Sequence, residues 1–248
     1  MQYKVILSDV HLNHQEAQHP AYLAVKKMIK EIKPEEIIIN GDFLDFSYLS
    51  SYTENAPRLR ENYRLKKDAD LAVSELELLK KYSKTITYLE GNHEYRIARA
   101  LDTLPMFEGL IELNYLLDLD RLAIKWVPEM KQPMRIFDDL YILHGKRIGK
   151  YFASQITDDY PGVTMIQGHT HRGQVFTKSH NLTQSSYEGI GSGCLTGLKQ
   201  SYENGKALSH SQGFVVVSWE NEKRYSVQNV TIKDSHWFIF NGKMYSGL

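Results

Sequence analysis

At residues 36–45 the chain reads EIIINGDFLD: three consecutive isoleucines, Ile37 to Ile39, then Asn40 and Gly41, then Asp42, with Asp45 three residues further on. Such a run is a short strand, and the glycine after it marks a place where the backbone turns sharply and passes close to something else. The same event recurs in VILSDVH (5–11), ITYLEGNHE (86–94), YILHG (141–145) and TMIQGHTH (164–171). Each time an apolar run ends and a metal-capable side chain follows within a few residues. A single Asp, Asn or His after a strand is an ordinary turn residue. Five such coincidences, carrying five of the ten histidines, are not ordinary. Gly41, Gly91, Gly145 and Gly168 stand beside these positions. Ligand sites of open α/β sheets lie beyond the carboxyl ends of the strands, which is where these residues fall.

Working outward, the first half alternates short β-branched runs with helical patterns: strands at Tyr3–Ser8, Glu36–Asn40 and Thr85–Glu90, helices near Ala21–Ile32 and Asn62–Tyr82. That is the rhythm of a sheet covered by helices. Leu65, Ala69, Ala72, Leu76 and Leu79 recur at spacings of four and three, one buried stripe of the long helix. The second half carries strand candidates at Ile124–Val127, Leu140–Leu143, Thr164–Gln167, Gln174–Thr177, Gly213–Trp219 and Ser226–Ile232. Their short connections predict a second, largely antiparallel sheet. The polar stretches Ser47–Glu61 and Gly197–Gly213 are long enough to be functional rim loops, and the second is a candidate lid.

The 248 residues fit one large domain, 1–248, and 42% hydrophobic residues suffice for a sizeable core. Thirty basic and thirty acidic residues cancel, so any polyanion binding is local. Cys194, the single cysteine, has no partner for an internal disulfide, and its neighbours Gly193 and Leu195 give it no catalytic context. MQYKVILSDV leads straight into a strand without a secretory pattern, and no apolar run approaches the roughly 18–20 residues of a membrane span. The expectation is a cytoplasmic protein without membrane contact.

Imidazoles, carboxylates and an amide oxygen without thiolate suit Mn, Fe or Zn in a reactive site better than a structural zinc site or an all-oxygen Ca or Mg cage. Two divalent ions facing two carboxylates and a bridging hydroxide leave a net charge of roughly +1, which attracts phosphate. Ions about 3.5–4 Å apart can lower the pKa of a bridging water and hold phosphoryl oxygens for in-line attack without a protein nucleophile.

The order DxH (Asp9, His11), GDxxD (Gly41 to Asp45), GNHE (Gly91 to Glu94), HG (His144, Gly145) and GHTH (Gly168 to His171) resembles the calcineurin-like metallophosphoesterases. The resemblance spans positions 9 to 171. It implies a four-layer α/β/β/α sandwich of two mixed β-sheets flanked by helices, and two divalent metal ions, Mn foremost with Fe, Zn or Ni as alternatives. It implies that Asp9, His11 and His171 hold the first ion, that Asn92, His144 and His169 hold the second, and that Asp42 bridges them. His93 is then left as a general acid oriented by Asp45, a role that contributes about 10² to 10⁴ in rate. Asn92 and Arg96 become the substrate-binding candidates. Glu94 is expected to hydrogen-bond structurally.

Within the family, the phosphoprotein phosphatase branch continues its second motif as GDxxDRG and precedes GNHE with Arg. Here Phe46 and Ser47 follow Asp45, Glu90 precedes Gly91, and His171 ends GHTH. The chain is closer to the phosphodiesterase and nuclease branches, so the expected substrate is a phosphodiester of a nucleotide or nucleic acid. A phosphomonoesterase on a small metabolite is the alternative, and a non-catalytic interaction scaffold is disfavoured because every metal position carries a competent donor. Arg58, Arg60, Arg64, Lys66 and Lys67 form either a phosphate track or a solvated helix face. Tyr48, Tyr52, Tyr63 and Tyr95 are either stacking surfaces or rim packing. His14 and His19 read as surface residues.

Overall fold

A computed structural model describes residues 1–53, 57–128, 132–180, 182, 185–198 and 209–248. The candidate lid falls mostly on 199–208, outside the described residues. Four strands, β1 (Gln2–Leu7), β2 (Glu36–Asn40), β3 (Thr85–Leu89) and β4 (Lys125–Val127), pair in parallel in that order. Helices α1 (Pro20–Ile32) and α2 (Leu65–Lys80) are the crossovers from β1 to β2 and from β2 to β3. Helices α3 (Tyr95–Thr103) and α4 (Leu113–Leu116) lie between β3 and β4.

The second sheet contains β5 (Met134–Phe137), β6 (Leu140–Leu143), β7 (Thr164–Gln167), β8 (Gly173–His180) and β9 (Ser185–Ser192), with α5 (Phe152–Asp159) between β6 and β7. Its spatial order is β5-β6-β7-β9-β8. This sheet is mixed rather than largely antiparallel: β6, β7 and β9 run parallel, and only the edges β5 and β8 are antiparallel. The strands β10 (Gly213–Asn221) and β11 (Arg224–Thr231) do not join it. They return to the first sheet, β10 pairing antiparallel with β1 and β11 with β10. Gly213–Trp219 is a continuous run buried on both faces and Ser226–Ile232 an alternating, half-buried strand, and neither pattern carries information about the partner.

Side-chain alternation separates the layers. Val5, Leu7, Ile37, Ile39, Ile86 and Tyr88 point outward to α1 and α2, where Ala69, Ala72, Leu76 and Leu79 form the buried stripe. From the opposite face of the same strands, Ile6, Ile38, Val215 and Val217 meet Leu140, Ile142, Ile166 and Ile190 of the second sheet. Leu143 and Met165 then face Ile156 of α5. The result is helices, sheet, sheet, helix, the four-layer sandwich.

This stacking lifts the carboxyl ends of β1, β2, β3, β6 and β7, all parallel strands, to one edge. Glu94 fixes the turns there. Its carboxylate, 1% exposed, accepts from the backbone N–H of Asp42 (2.8 Å), Phe43 (2.9 Å), Leu44 (3.1 Å) and Gly91 (3.0 Å) and from the Tyr88 hydroxyl (2.8 Å). Burial and the neighbouring Asp42 push this carboxyl up, against the Leu44 N–H and the Tyr88 hydroxyl, which favour the charged form. All five partners are donors, so the ionised form is the one that fits. Gly91 lies so close that a Cβ there would stand 2.2 Å from both Asp42 N and Asp42 Oδ1. Gly41 turns with φ +74°, and a Cβ on it would meet His144 Nδ1 at 2.4 Å. Both glycines are required by the close approach that the sequence suggested.

Glu94→Gln keeps the shape of the side chain but points an amide N–H₂ at backbone donors. Two donors left unsatisfied at roughly 1–3 kcal/mol each predict a loss of about 2–6 kcal/mol. Urea unfolding of the two proteins measures this directly; equal midpoints would mean that water or rearrangement satisfies the donors.

Candidate metal centre

The seven donors sit on the loops leaving those five strands. Five of them, Asp9 (φ 54°), His11 (53°), Asp42 (51°), His169 (65°) and His171 (54°), adopt the left-handed backbone region. Asp and His enter it more readily than β-branched residues do, and such strain clusters where side chains must be aimed. The turns are held by cross-loop hydrogen bonds: His11 N donates to Asp42 O at 3.0 Å, Leu12 N to Phe43 O at 2.8 Å, and Asp45 N to Leu12 O at 2.9 Å.

Among the described residues, three groups of carboxylate and imidazole donors could each hold a metal ion, with ligand atoms within 4.8 Å of one another: Asp9, His11 and His171; Asp42, His144 and His169; and His11, Asp45 and His93. In the first, His171 Nε2 lies 3.3 Å from Asp9 Oδ1 and 3.2 Å from His11 Nε2. In the second, His144 Nε2 lies 3.2 Å from Asp42 Oδ2 and 3.2 Å from Asn92 Oδ1. Asp42 Oδ2 is also 3.9 Å from His11 Nε2, so the two groups adjoin. Ring nitrogens, carboxylates and an amide oxygen converging away from water are a donor set that fits divalent cations.

The surroundings orient these donors. His144 Nδ1 donates to the Asn40 carbonyl at 2.7 Å, which fixes the tautomer and turns Nε2 toward Asp42. His169 N donates to both oxygens of Asp9, at 3.1 and 3.0 Å. His93 N donates to Asp42 Oδ1 at 2.9 Å.

Charge follows this packing. Burial pushes Asp42 up, but His144, His93 and His11 outweigh it and hold the carboxyl well below the usual range. Burial pulls His144 down, but Asp42 prevails and lifts the imidazole to about 10. Each of the two groups therefore favours the charged form of the other. His93 behaves oppositely: burial pushes it down to about 3, reinforced by His11 and Arg96 against Asp42 and Asp45. Burial raises Asp45, but His11 and His93 draw it down to about 2. Its Oδ1 lies 3.5 Å from His11 Nδ1 and 3.6 Å from His93 Nδ1, so Asp45 faces both rings.

Arg96 is half-buried and turned inward. Its guanidinium donates to the Asp45 carbonyl at 2.9 Å and lies against His93, with Nη2 2.9 Å from Nε2. Three of the five basic residues after the second motif are spent locally. Arg60 bonds Thr53 and the Ser50 carbonyl, Arg64 bonds the carbonyls of Glu61 and Tyr63, and Lys66 pairs with Asp70 along the helix. Tyr48 is buried and stacks on Tyr63, with ring centroids 4.9 Å apart, while Tyr95 is exposed. His14 and His19 are not plain surface residues: His14 pairs with buried Asp68 at 2.7 Å, and His19 accepts from Ala21 N at the start of α1. His210, which no motif flags, packs beside His171 with ring centroids 5.0 Å apart. Only its place before β10 brings it there.

Comparison with known proteins gives three findings. No curated protein matches the chain. The chain is similar to Vacuolar Protein Sorting 29 from Cryptosporidium parvum (12% identity, 99% of this chain and 95% of that one, TM-score 0.48). It is also similar to a metallophosphoesterase from Sphaerobacter thermophilus (18%, 94% and 89%, 0.46) and to the nuclease MPE from Pseudomonas putida (14%, 86% and 83%, 0.36). The calcineurin-like phosphoesterase family model matches residues 5–173, a stretch that holds all five donor motifs and most of the chain. The chain therefore belongs to the calcineurin-like phosphoesterase family and is a metallophosphoesterase.

Proposed function

We propose that this enzyme hydrolyses a phosphodiester of a nucleotide or nucleic acid, with Asp9, His11 and His171 holding one divalent ion, Asn92, His144 and His169 a second, and Asp42 shared between them. The observation that carries the reading is Asp42, whose Oδ2 faces His144 Nε2 at 3.2 Å and His11 Nε2 at 3.9 Å, so that one carboxylate reaches both donor groups. When bound, two divalent ions supply Lewis acidity toward the phosphoryl oxygens and make a water nucleophilic near neutral pH. Manganese suits this thiolate-free donor set, with iron, zinc and nickel as alternatives.

The residues supply position and a proton. Asn92 turns its amide oxygen toward His144, which leaves the N–H₂ to donate to a phosphoryl oxygen. His93 gives the leaving oxygen its proton, while Asp45 holds the ring. In the substrate-free site His93 is neutral at pH 7, because burial dominates. The anionic charge of a bound phosphodiester acts the other way and favours the charged ring. Arg96, engaged with Asp45 and His93, is a phosphate contact only after releasing them. This suits a monoanionic diester better than a dianionic monoester, which needs more cationic side chains.

Three results are expected. With Mn²⁺, bis-para-nitrophenyl phosphate is cleaved faster than para-nitrophenyl phosphate; the reverse order would make the enzyme a phosphomonoesterase. Asp42→Asn loses bound metal together with activity, whereas His93→Ala keeps both ions by elemental analysis and loses about 10²–10⁴ in kcat. A missing ion in His93→Ala would assign His93 to the donor group with His11 and Asp45 instead. Metal binding must expel the His144 proton, which is retained up to about pH 10. Below that pH the affinity rises with pH, about tenfold per unit for this one proton, and calorimetry in buffers of different ionisation enthalpy should register its release.

A further inference from the structure

The loop from Gly145 to Tyr151 leaves β6 immediately after His144 and is held at every step. Gln167, fully buried, accepts from the N–H of Lys146 (3.2 Å) and Arg147 (3.1 Å) and donates to the Arg147 carbonyl (2.6 Å). Arg172, the residue after His171, donates to the carbonyls of Ile148 (2.7 Å) and Gly149 (3.1 Å), and Gln174 donates to that of Lys150 (2.7 Å). A loop clamped from one side in this way nevertheless turns large apolar side chains to water: Ile148 is 70% exposed and Tyr151 65% exposed. Exposed apolar side chains on a backbone held in this way offer a preformed contact surface.

Charge decides what the surface fits. Lys146 and Arg147 share Asp159, with Lys146 also donating to the Tyr160 hydroxyl at 3.3 Å, and Lys178 pairs with Asp158; with Lys150 and Arg172, five cations face two carboxylates here, in a chain whose total charge is zero. The Lys150 ammonium lies over the Tyr151 ring, 5.2 Å from its centroid. Cations interleaved with an exposed aromatic ring match a strand that alternates phosphates with flat bases. The site of such an interaction borders His144 on one flank and His171 on the other.

We infer that the 145–151 loop is a docking platform for single-stranded nucleic acid, with Tyr151 stacking on a base and Lys146 and Lys150 meeting phosphates on either side. This rests on the phosphodiester reading above and extends it to a polymer whose neighbouring nucleotides leave the metal centre over this loop. In the basic run at residues 58–67, Arg60, Arg64 and Lys66 are spent on Thr53, local carbonyls and Asp70, and among the described residues no exposed ring lies between them as Tyr151 lies beside Lys150.

Fluorescence anisotropy with a labelled single-stranded phosphorothioate oligonucleotide of about 15 nucleotides tests the assignment, with inorganic polyphosphate as a base-free competitor. Tyr151→Ala should weaken oligonucleotide binding by about 5- to 100-fold, the value of one stacked base, and leave polyphosphate binding unchanged. Lys146→Ala with Lys150→Ala should reduce the slope of log Kd against log salt by roughly 1.4, about 0.7 for each lost phosphate. Oligonucleotide binding unaltered in both variants would overturn the platform, as would equal loss of polyphosphate binding in Tyr151→Ala. Cleavage of bis-para-nitrophenyl phosphate should be the same in all three proteins. If the wild type cleaves that diester but does not bind the strand, the platform falls and the phosphodiesterase reading stands. If strand binding weakens as described but the diester is not cleaved, the platform stands and the phosphodiesterase reading falls.

Discussion

Two carboxylates buried from water govern this molecule. Asp9 has no exposed surface and Asp42 only 2%. An ionised carboxylate removed from water is very unfavourable unless hydrogen bonds and opposite charge meet it on several sides. The fold supplies them: His169 N and His171 around Asp9, His93 N, His144 and His11 around Asp42. These partners come from both sheets, so the charges are satisfied only when the two sheets pack face to face with their carboxyl ends at one rim. The candidate metal centre and the sandwich are in this sense one object.

The backbone bears a cost for that aim. Five donor residues in the left-handed region carry strain of order 1–3 kcal/mol each, and such conformations persist only where the surroundings overdetermine them. Here the surroundings are the Glu94 carboxylate, the Leu12 and Phe43 backbone pair and the Asn40 carbonyl on His144. Asp42 and His144 favour each other's charged form, which offsets the burial of that carboxylate.

Much of this was legible from residues alone. Ile37 to Ile39 followed by Gly41 and Asp42 states that a buried strand ends at a sharp turn carrying a carboxylate, and four further stretches repeat the statement. The stripe on α2 was equally plain, because period and burial coincide in a single helix. What escaped depends on contacts distant in sequence. Val215 and Val217 announce a buried strand but not that it lies against β1 rather than the second sheet. Arg96 stands next to a catalytic motif, yet its direction is set by the Asp45 carbonyl. His210 follows no motif and reaches His171 only through the course of the chain before β10. The fixing of the 145–151 loop by Gln167, Arg172 and Gln174 is also a property of juxtaposition, invisible in any one of its segments.

The return of β10 to β1 has a consequence for assembly in time. Gln2 pairs with Trp219 and Ile6 with Val215, so the first strand of the chain waits for one of the last before its free edge is covered. Loop closure on that scale is slow, and an uncovered strand edge is a template for pairing with other chains. Because the second sheet is made in between, β2 can line up with β1 early while the opposite edge of β1 stays open until the second sheet has been synthesised. Completion of the first sheet, which draws Leu195 N and Thr196 N onto the Asp9 carbonyl, is thereby coupled to the late stages of folding. A nascent chain stalled before residue 213 keeps its five donor motifs and lacks the strand that shields the edge beside Asp9.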